Sequence, residues 1–144
     1  MRCTLSRVVS TVAVVLVAAA AAPRAQQQDQ GGLLGTSEVK KGTWTGQLTC
    51  YSLFRTTGAA AASPAKAQET LECVKKGGAL DWLGILMDDE GLAKIVGDKA
   101  AKNYEGLYQF IGKRVQVTGT LALPNQYSRG LPPGLIIDKI TIAK

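Results

Sequence analysis

Histidine is absent from the 144-residue chain. Its absence removes the usual general base of Ser-His-Asp and Cys-His catalysis and the commonest nitrogen ligand for zinc or copper. The chain also lacks a G-x-S-x-G turn, a phosphate-cradling glycine loop and a C-x-x-C pair. Nucleophilic, phosphoryl-transfer and thioredoxin-type chemistries therefore lack their residues, and the chain reads as a non-enzyme. Aromatic residues make up only 6% of it, too few for the interleaved aromatic and basic groove that single-stranded nucleic acid needs. Beyond residue 25 no apolar run approaches the roughly 20 residues that cross a bilayer.

What is present begins at the N-terminus. Arg2 and Arg7 precede an apolar run from Val12 to Ala22, small residues follow to Ala25, and no acidic residue appears before Asp29. This order predicts a secretory signal peptide over residues 1–25, a periplasmic or secreted product, and no transmembrane segment after processing. Cleavage would remove Arg2, Arg7 and Arg24 and lower the formal charge from +6 to +3, with 14 Lys and Arg against 11 Asp and Glu. The basic residues that remain are scattered pairs such as Lys40-Lys41, Lys75-Lys76 and Lys113-Arg114. Solvated surface explains such pairs better than a nucleic-acid groove does.

Cys3 leaves with the signal, so Cys50 and Cys73 are the mature chain's cysteines, in a route where disulfides persist. A bridge between them is expected. It would close a loop of roughly 24 residues and, on the chain-entropy account, contribute roughly 3 to 3.5 kcal/mol. A reversible dithiol/disulfide switch is the other reading of the same pair. Two cysteines without histidine leave a structural zinc site short of ligands, so neither metal nor cofactor is expected. Asp88, Asp89 and Glu90 do not have EF-hand spacing and read as a solvated turn.

Residues 26–42 read as a flexible N-terminal segment and residues 43–144 as one domain. From Thr43, alternation puts Trp44, Leu48 and Cys50 on one side and Thr45, Gln47 and Thr49 on the other, as a half-buried strand requires. Gly46 falls where a coiled strand needs a residue without a Cβ. The Ala-rich stretch Thr56–Ala67, with Gly58 and Pro64, reads as a loop. Two strands, over 80–87 and 92–96, flank the turn ending at Gly91. Tyr104, Leu107, Tyr108 and Ile111 recur at helical spacing, which predicts one amphipathic helix over 98–111 with Asp98 as cap and Gly112 as stop. Strands over 113–121 and 135–142 follow, the last with an apolar phase switch that a bulge near Asp138-Lys139 explains. Three strands, one helix and two strands is the order of a five-stranded Greek-key barrel of the oligonucleotide/oligosaccharide-binding (OB) type. An SH3-like barrel usually lacks the helix between strands three and four.

The strings Trp44-Thr45-Gly46-Gln47-Leu48 with Cys50, Cys73-Val74-Lys75-Lys76-Gly77-Gly78, and Gly112-Lys113-Arg114-Val115-Gln116-Val117-Thr118-Gly119 resemble those of small secreted bacterial OB-fold proteins. Those proteins are similar to the periplasmic bacterial OB-fold proteins linked with envelope stress. The resemblance spans roughly residues 43 to 142 and implies fold and location.

OB domains commonly bind through the loop after strand one and the loop between strands four and five. Tyr51, Phe54 and Arg55 fall at the first of these, and Asn125, Tyr127 and Arg129 at the second. These six residues are the candidate ligand contacts of an exported binding module. Its partner would be a small molecule, a glycan or an envelope protein. Trp44 and Trp82 fall inside strand patterns and are read as packing.

Overall fold

A close approach of backbones closes the sheet into a barrel. The computed structural model describes residues 36–124 and 130–144, with side chains from residue 38. The expected signal segment, residues 1–25, and the candidate residues Asn125, Tyr127 and Arg129 lie outside the described residues. Five strands, β1 (Thr36–Cys50), β2 (Leu83–Met87), β3 (Gly91–Val96), β4 (Arg114–Pro124) and β5 (Gly134–Ile142), form a closed barrel in the order β1-β2-β3-β5-β4. The β3–β5 pairing is parallel and the other four are antiparallel.

β1 wraps far enough to pair with two neighbours, and Gly46 does so at a single residue, opposite Met87 of β2 and Val115 of β4. A Cβ at Gly46 would run into the Leu86 carbonyl and stand 3.0 Å from the Met87 Cα. The bend expected at this glycine is therefore a strand contact that only hydrogen fits. Gly119 plays the same role on β4, where the Ile136 carbonyl occupies the path of any Cβ. Beside it the register slips, with Thr118 opposite Lys139 and Gly119 opposite Ile137. Asp138 is the extra residue, so the bulge expected near Asp138-Lys139 is present and accounts for the phase switch in β5.

Alternation fills the barrel. Leu48, Cys50, Leu83, Ile85, Met87, Ala93, Ile95, Val115, Val117, Leu121, Leu135 and Ile137 are buried inside it. β1 begins at Thr36, so residues 36–42 are a strand paired with β4 and do not belong to the lead-in. The alternation misses this half because Lys40 and Lys41 carry no apolar phase. The turn Asp88-Asp89-Glu90 is tied to the wall by ion pairs, Asp88 with Arg114 and Glu90 with Lys40.

Two further expectations need correction. The stretch Thr56–Ala67 is not an open loop. Helix α1 (Tyr51–Thr57) runs into short 3₁₀ turns at Gly58–Ala62 and Pro64–Lys66, and these lead into α2 (Ala67–Lys76). Ala61 and Ala62 are buried there, and Thr49, on the outward side of β1, is 0% exposed. Small side chains let this segment lie close against the barrel without an apolar stripe of its own. The predicted helix over 98–111 is also different. Gly97–Phe110 is a 3₁₀-type segment broken where Lys102, Asn103 and Tyr104 take left-handed φ values of 50°, 55° and 64°, and no side chain caps its start. The Asn103 amide donates to the Val74 carbonyl at 2.7 Å, and the Tyr108 hydroxyl donates to the Asn103 carbonyl at 2.8 Å. These bonds hold the break, while Tyr104 and Leu107 still face the core as the spacing predicted. Among the described residues no helix is long and apolar enough to cross a membrane.

The wall and its plug can each be tested. Gly46→Ala is expected to cost about 2 kcal/mol or more in urea unfolding, because the intruding methyl must push neighbouring strands away from each other. Gly106→Ala, whose Cβ meets nothing within 4 Å, should stay within about 1 kcal/mol of the parent. Burial raises the Tyr104 hydroxyl above the ordinary tyrosine value of 10.0, and a hydrogen bond with the Leu83 backbone works the other way. The unfolded chain therefore releases this proton first. Its contribution to stability is complete below the unfolded value and declines as pH rises through the folded one. Urea melts stepped through that alkaline range should show Tyr104→Phe losing less stability than the parent.

Candidate functional site

Two groups of side chains meet where β1 leaves the barrel. The first is the cysteine pair. Cys50 ends β1 pointing into the core and is 0% exposed. α2 presents Thr70 and Val74 to the barrel and places Cys73 beside them, partly buried. The two cysteines stand at disulfide distance, with Cα atoms 6.2 Å apart, so the expected bridge joins β1 to α2. Around it lie Ser52 and Asp81, which no sequence motif singles out. The Ser52 hydroxyl donates to Asp81 Oδ1 at 2.6 Å and sits 2.9 Å from Cys73 Sγ. The Gly78 amide donates to Asp81 Oδ2 at 3.2 Å, and Asp81 Oδ1 lies 3.6 Å from Cys73 Sγ.

The charges here bear on the two readings of the pair. A free thiolate at Cys73 would face a carboxylate at 3.6 Å, with Glu69 and Glu72 lining the same groove. Like charge opposes the thiolate, which is the nucleophile of disulfide exchange. The surroundings therefore suit a structural bridge better than a catalytic one.

The second group is a column on the outer wall. The Tyr51 amide donates to the Trp82 carbonyl at 3.0 Å and the Ser52 amide to the Leu80 carbonyl at 3.1 Å, extending the β1–β2 pairing by one step. That step sets Tyr51 on Trp82, with ring centroids 4.3 Å apart and planes 11° from parallel. The Trp82 ring lies over Gly84, where a Cβ would come within 3.0 Å of it. Arg55 lies 6.0 Å from the Tyr51 ring centre and Lys94 lies 5.5 Å from that of Trp82. Arg55, Tyr51, Trp82 and Lys94 form a run of cation, ring, ring and cation.

Of the candidate ligand contacts, Tyr51 and Arg55 join this column. Phe54 is half-buried on α1 and outside it. Trp82 is 8% exposed, in keeping with packing, and Trp44 is half-buried against the core. Lys94 was missed. Its signal was its place on β3 between the buried Ala93 and Ile95, the outward phase of an alternating strand. The Lys94 amide also donates to the Pro133 carbonyl at 2.8 Å. The end of the β4–β5 connection thus meets the column that starts just after β1. Comparison with family models, characterised proteins and solved structures gives no match for this chain.

Replacing Cys50 and Cys73 together by serine is expected to lower stability by roughly 3 kcal/mol, read from urea melts fitted with each protein's own slope, the slope rising as the unfolded chain loses its cross-link. Loss of under about 1 kcal/mol would mean the bridge does little to hold α2 on the barrel.

Proposed function

We propose that this chain is an exported binding module built on an OB-type barrel, and that it binds its ligand on the outer face of β2 and β3. The strand order β1-β2-β3-β5-β4, the parallel closure of β3 on β5, and a plug segment between β3 and β4 support the OB reading. The observation that carries the binding reading is the column. It runs between the two connections through which OB domains commonly take ligands, and it brings a stacked aromatic pair and two cations to one stretch of wall. Half-buried Leu86, Leu92 and Val96 continue the same outward face.

The flanking cations favour an anionic ligand, and the half-buried Tyr51 ring, held on the packed Trp82 ring beneath it, favours one with an apolar face. An acidic oligosaccharide combines both and suits an exported protein. The runner-up is a thiol-based envelope stress role for Cys50 and Cys73. Its support is that Cys73 lines an open groove with Ser52, and the neighbouring carboxylates weigh against it.

The test is a titration of the protein with a uronic-acid oligosaccharide and, separately, with an oligothymidylate, followed by tryptophan fluorescence and calorimetry. The acidic glycan is expected to bind, and the Arg55→Ala, Lys94→Ala double variant to weaken binding tenfold or more with stability unchanged. Equal binding by parent and variant would remove the column from the reading. Tighter binding of the oligothymidylate would replace the glycan assignment with nucleic acid.

A further inference from the structure

The same carboxylate that opposes a free thiolate favours a cation held between thiolates. Four side-chain atoms converge at the end of β1: Cys50 Sγ, Cys73 Sγ, Asp81 Oδ1 and Ser52 Oγ. The cysteines and Asp81 offer one ligand atom each, all within 4.8 Å of one another. We propose that, once the bridge is reduced, Cys50, Cys73 and Asp81 form a binding site for a thiophilic divalent cation such as zinc, with the Ser52 oxygen closing the set.

The spacing carries this. In a tetrahedral site with metal–sulfur bonds of about 2.3 Å and metal–oxygen bonds of about 2.0 to 2.1 Å, a sulfur and an oxygen stand about 3.6 Å apart. Cys73 Sγ and Asp81 Oδ1 are 3.6 Å apart, and so are Cys50 Sγ and Ser52 Oγ. Two of the four sulfur–oxygen edges thus already have that length, while Ser52 Oγ, at 2.9 Å from Cys73 Sγ and 2.6 Å from Asp81 Oδ1, must draw back by about 0.7 Å from each to become the fourth ligand. Reduction supplies the remaining change, because breaking the bridge frees the sulfurs to separate to the roughly 3.8 Å that two thiolates on one zinc adopt. Asp81 is held for the role by the Gly78 amide on its other oxygen, the kind of supporting bond that orients a ligating carboxylate.

Charge and access agree with the spacing. Two thiolates and a carboxylate bring three negative charges, which repel one another without a cation and are largely offset by a divalent one. Cys73 and Ser52 line a groove of about 390 Å³ shared with Glu69, Glu72 and Lys76. That groove gives an ion access to Cys73 and Ser52 from solvent.

The chemistry balances as two steps. A thiol or phosphine reductant gives two electrons to the sulfur–sulfur bond, two protons are taken up, and two thiols result. Binding of the cation then releases both protons to solvent. The oxidised chain has no thiolate to offer and does not bind, so the site is gated by the state of the bridge. This inference is independent of the glycan reading and shares no residue with the Arg55 and Lys94 test.

The experiment reduces the full chain with a phosphine, removes the excess, and titrates it with Co²⁺ alone, reading thiolate-to-cobalt charge-transfer absorption, followed by displacement with Zn²⁺. The expected result is one ion per chain when reduced and no charge-transfer band when oxidised. Cys73→Ser should abolish the band, and Asp81→Asn should weaken binding tenfold or more. Absence of the band in reduced chain with native tryptophan fluorescence would overturn the proposal, as would unchanged affinity in Asp81→Asn or a stoichiometry of two chains per ion. If reduction unfolds the barrel, Zn²⁺ should restore native fluorescence in the parent and not in Cys73→Ser. Failure to restore it in the parent would overturn the site equally.

Discussion

The barrel depends on one approach of backbones, β1 against the Leu86 carbonyl at Gly46. There β1 faces β2 on one edge and β4 on the other, and the sheet closes only if all three strands share that point without a side chain between them. Everything placed at the end of β1 inherits its position from this closure. Cys50 is turned inward four residues on, Tyr51 is set opposite Trp82, and Ser52 reaches Asp81. Both candidate sites are thus consequences of where one strand is allowed to bend.

The cysteine bridge takes over where strand pairing stops. β1 leaves the barrel at Cys50, and the segment that follows has no apolar stripe able to hold it in place. Joining Cys50 to Cys73 fastens α2 over the end of the barrel, with Val74 in the core and its carbonyl accepting from Asn103. That last bond links α2 to the plug between β3 and β4. The plug keeps three consecutive non-glycine residues in left-handed conformation, a cost of roughly 1 to 2 kcal/mol each that burial of Tyr104 and Leu107 must offset.

Legibility followed the strength of the periodic signal. The later strands and the bulge at Asp138 were readable because Leu135, Ile137 and Ile140 carry a strong apolar phase that breaks at one place. The first half of β1 was not, since Val39 is 56% exposed and lysines follow it. α2 was hidden for a related reason. Its inward stripe is Ala67, Thr70, Leu71 and Val74, correctly spaced but weakly apolar, and the helix ends at Gly77 in the left-handed conformation. In the candidate column, Tyr51 and Arg55 stood out by residue type and position, whereas Lys94 was one lysine among many.

By itself the sequence determined the number of strands, the inward residues of most of them, the hairpin at Gly91, and the pairing of the two cysteines that signal removal would leave. These are local or arithmetical properties, set by side-chain period, turn residues and cysteine count. Only the tertiary structure decided that Ser52 and Asp81 meet the bridge, that Trp82 lies under Tyr51 with Lys94 beside it, and that the plug breaks at Asn103. Each of these joins residues far apart in the chain, and barrel closure, which no local pattern encodes, is what brings them within reach.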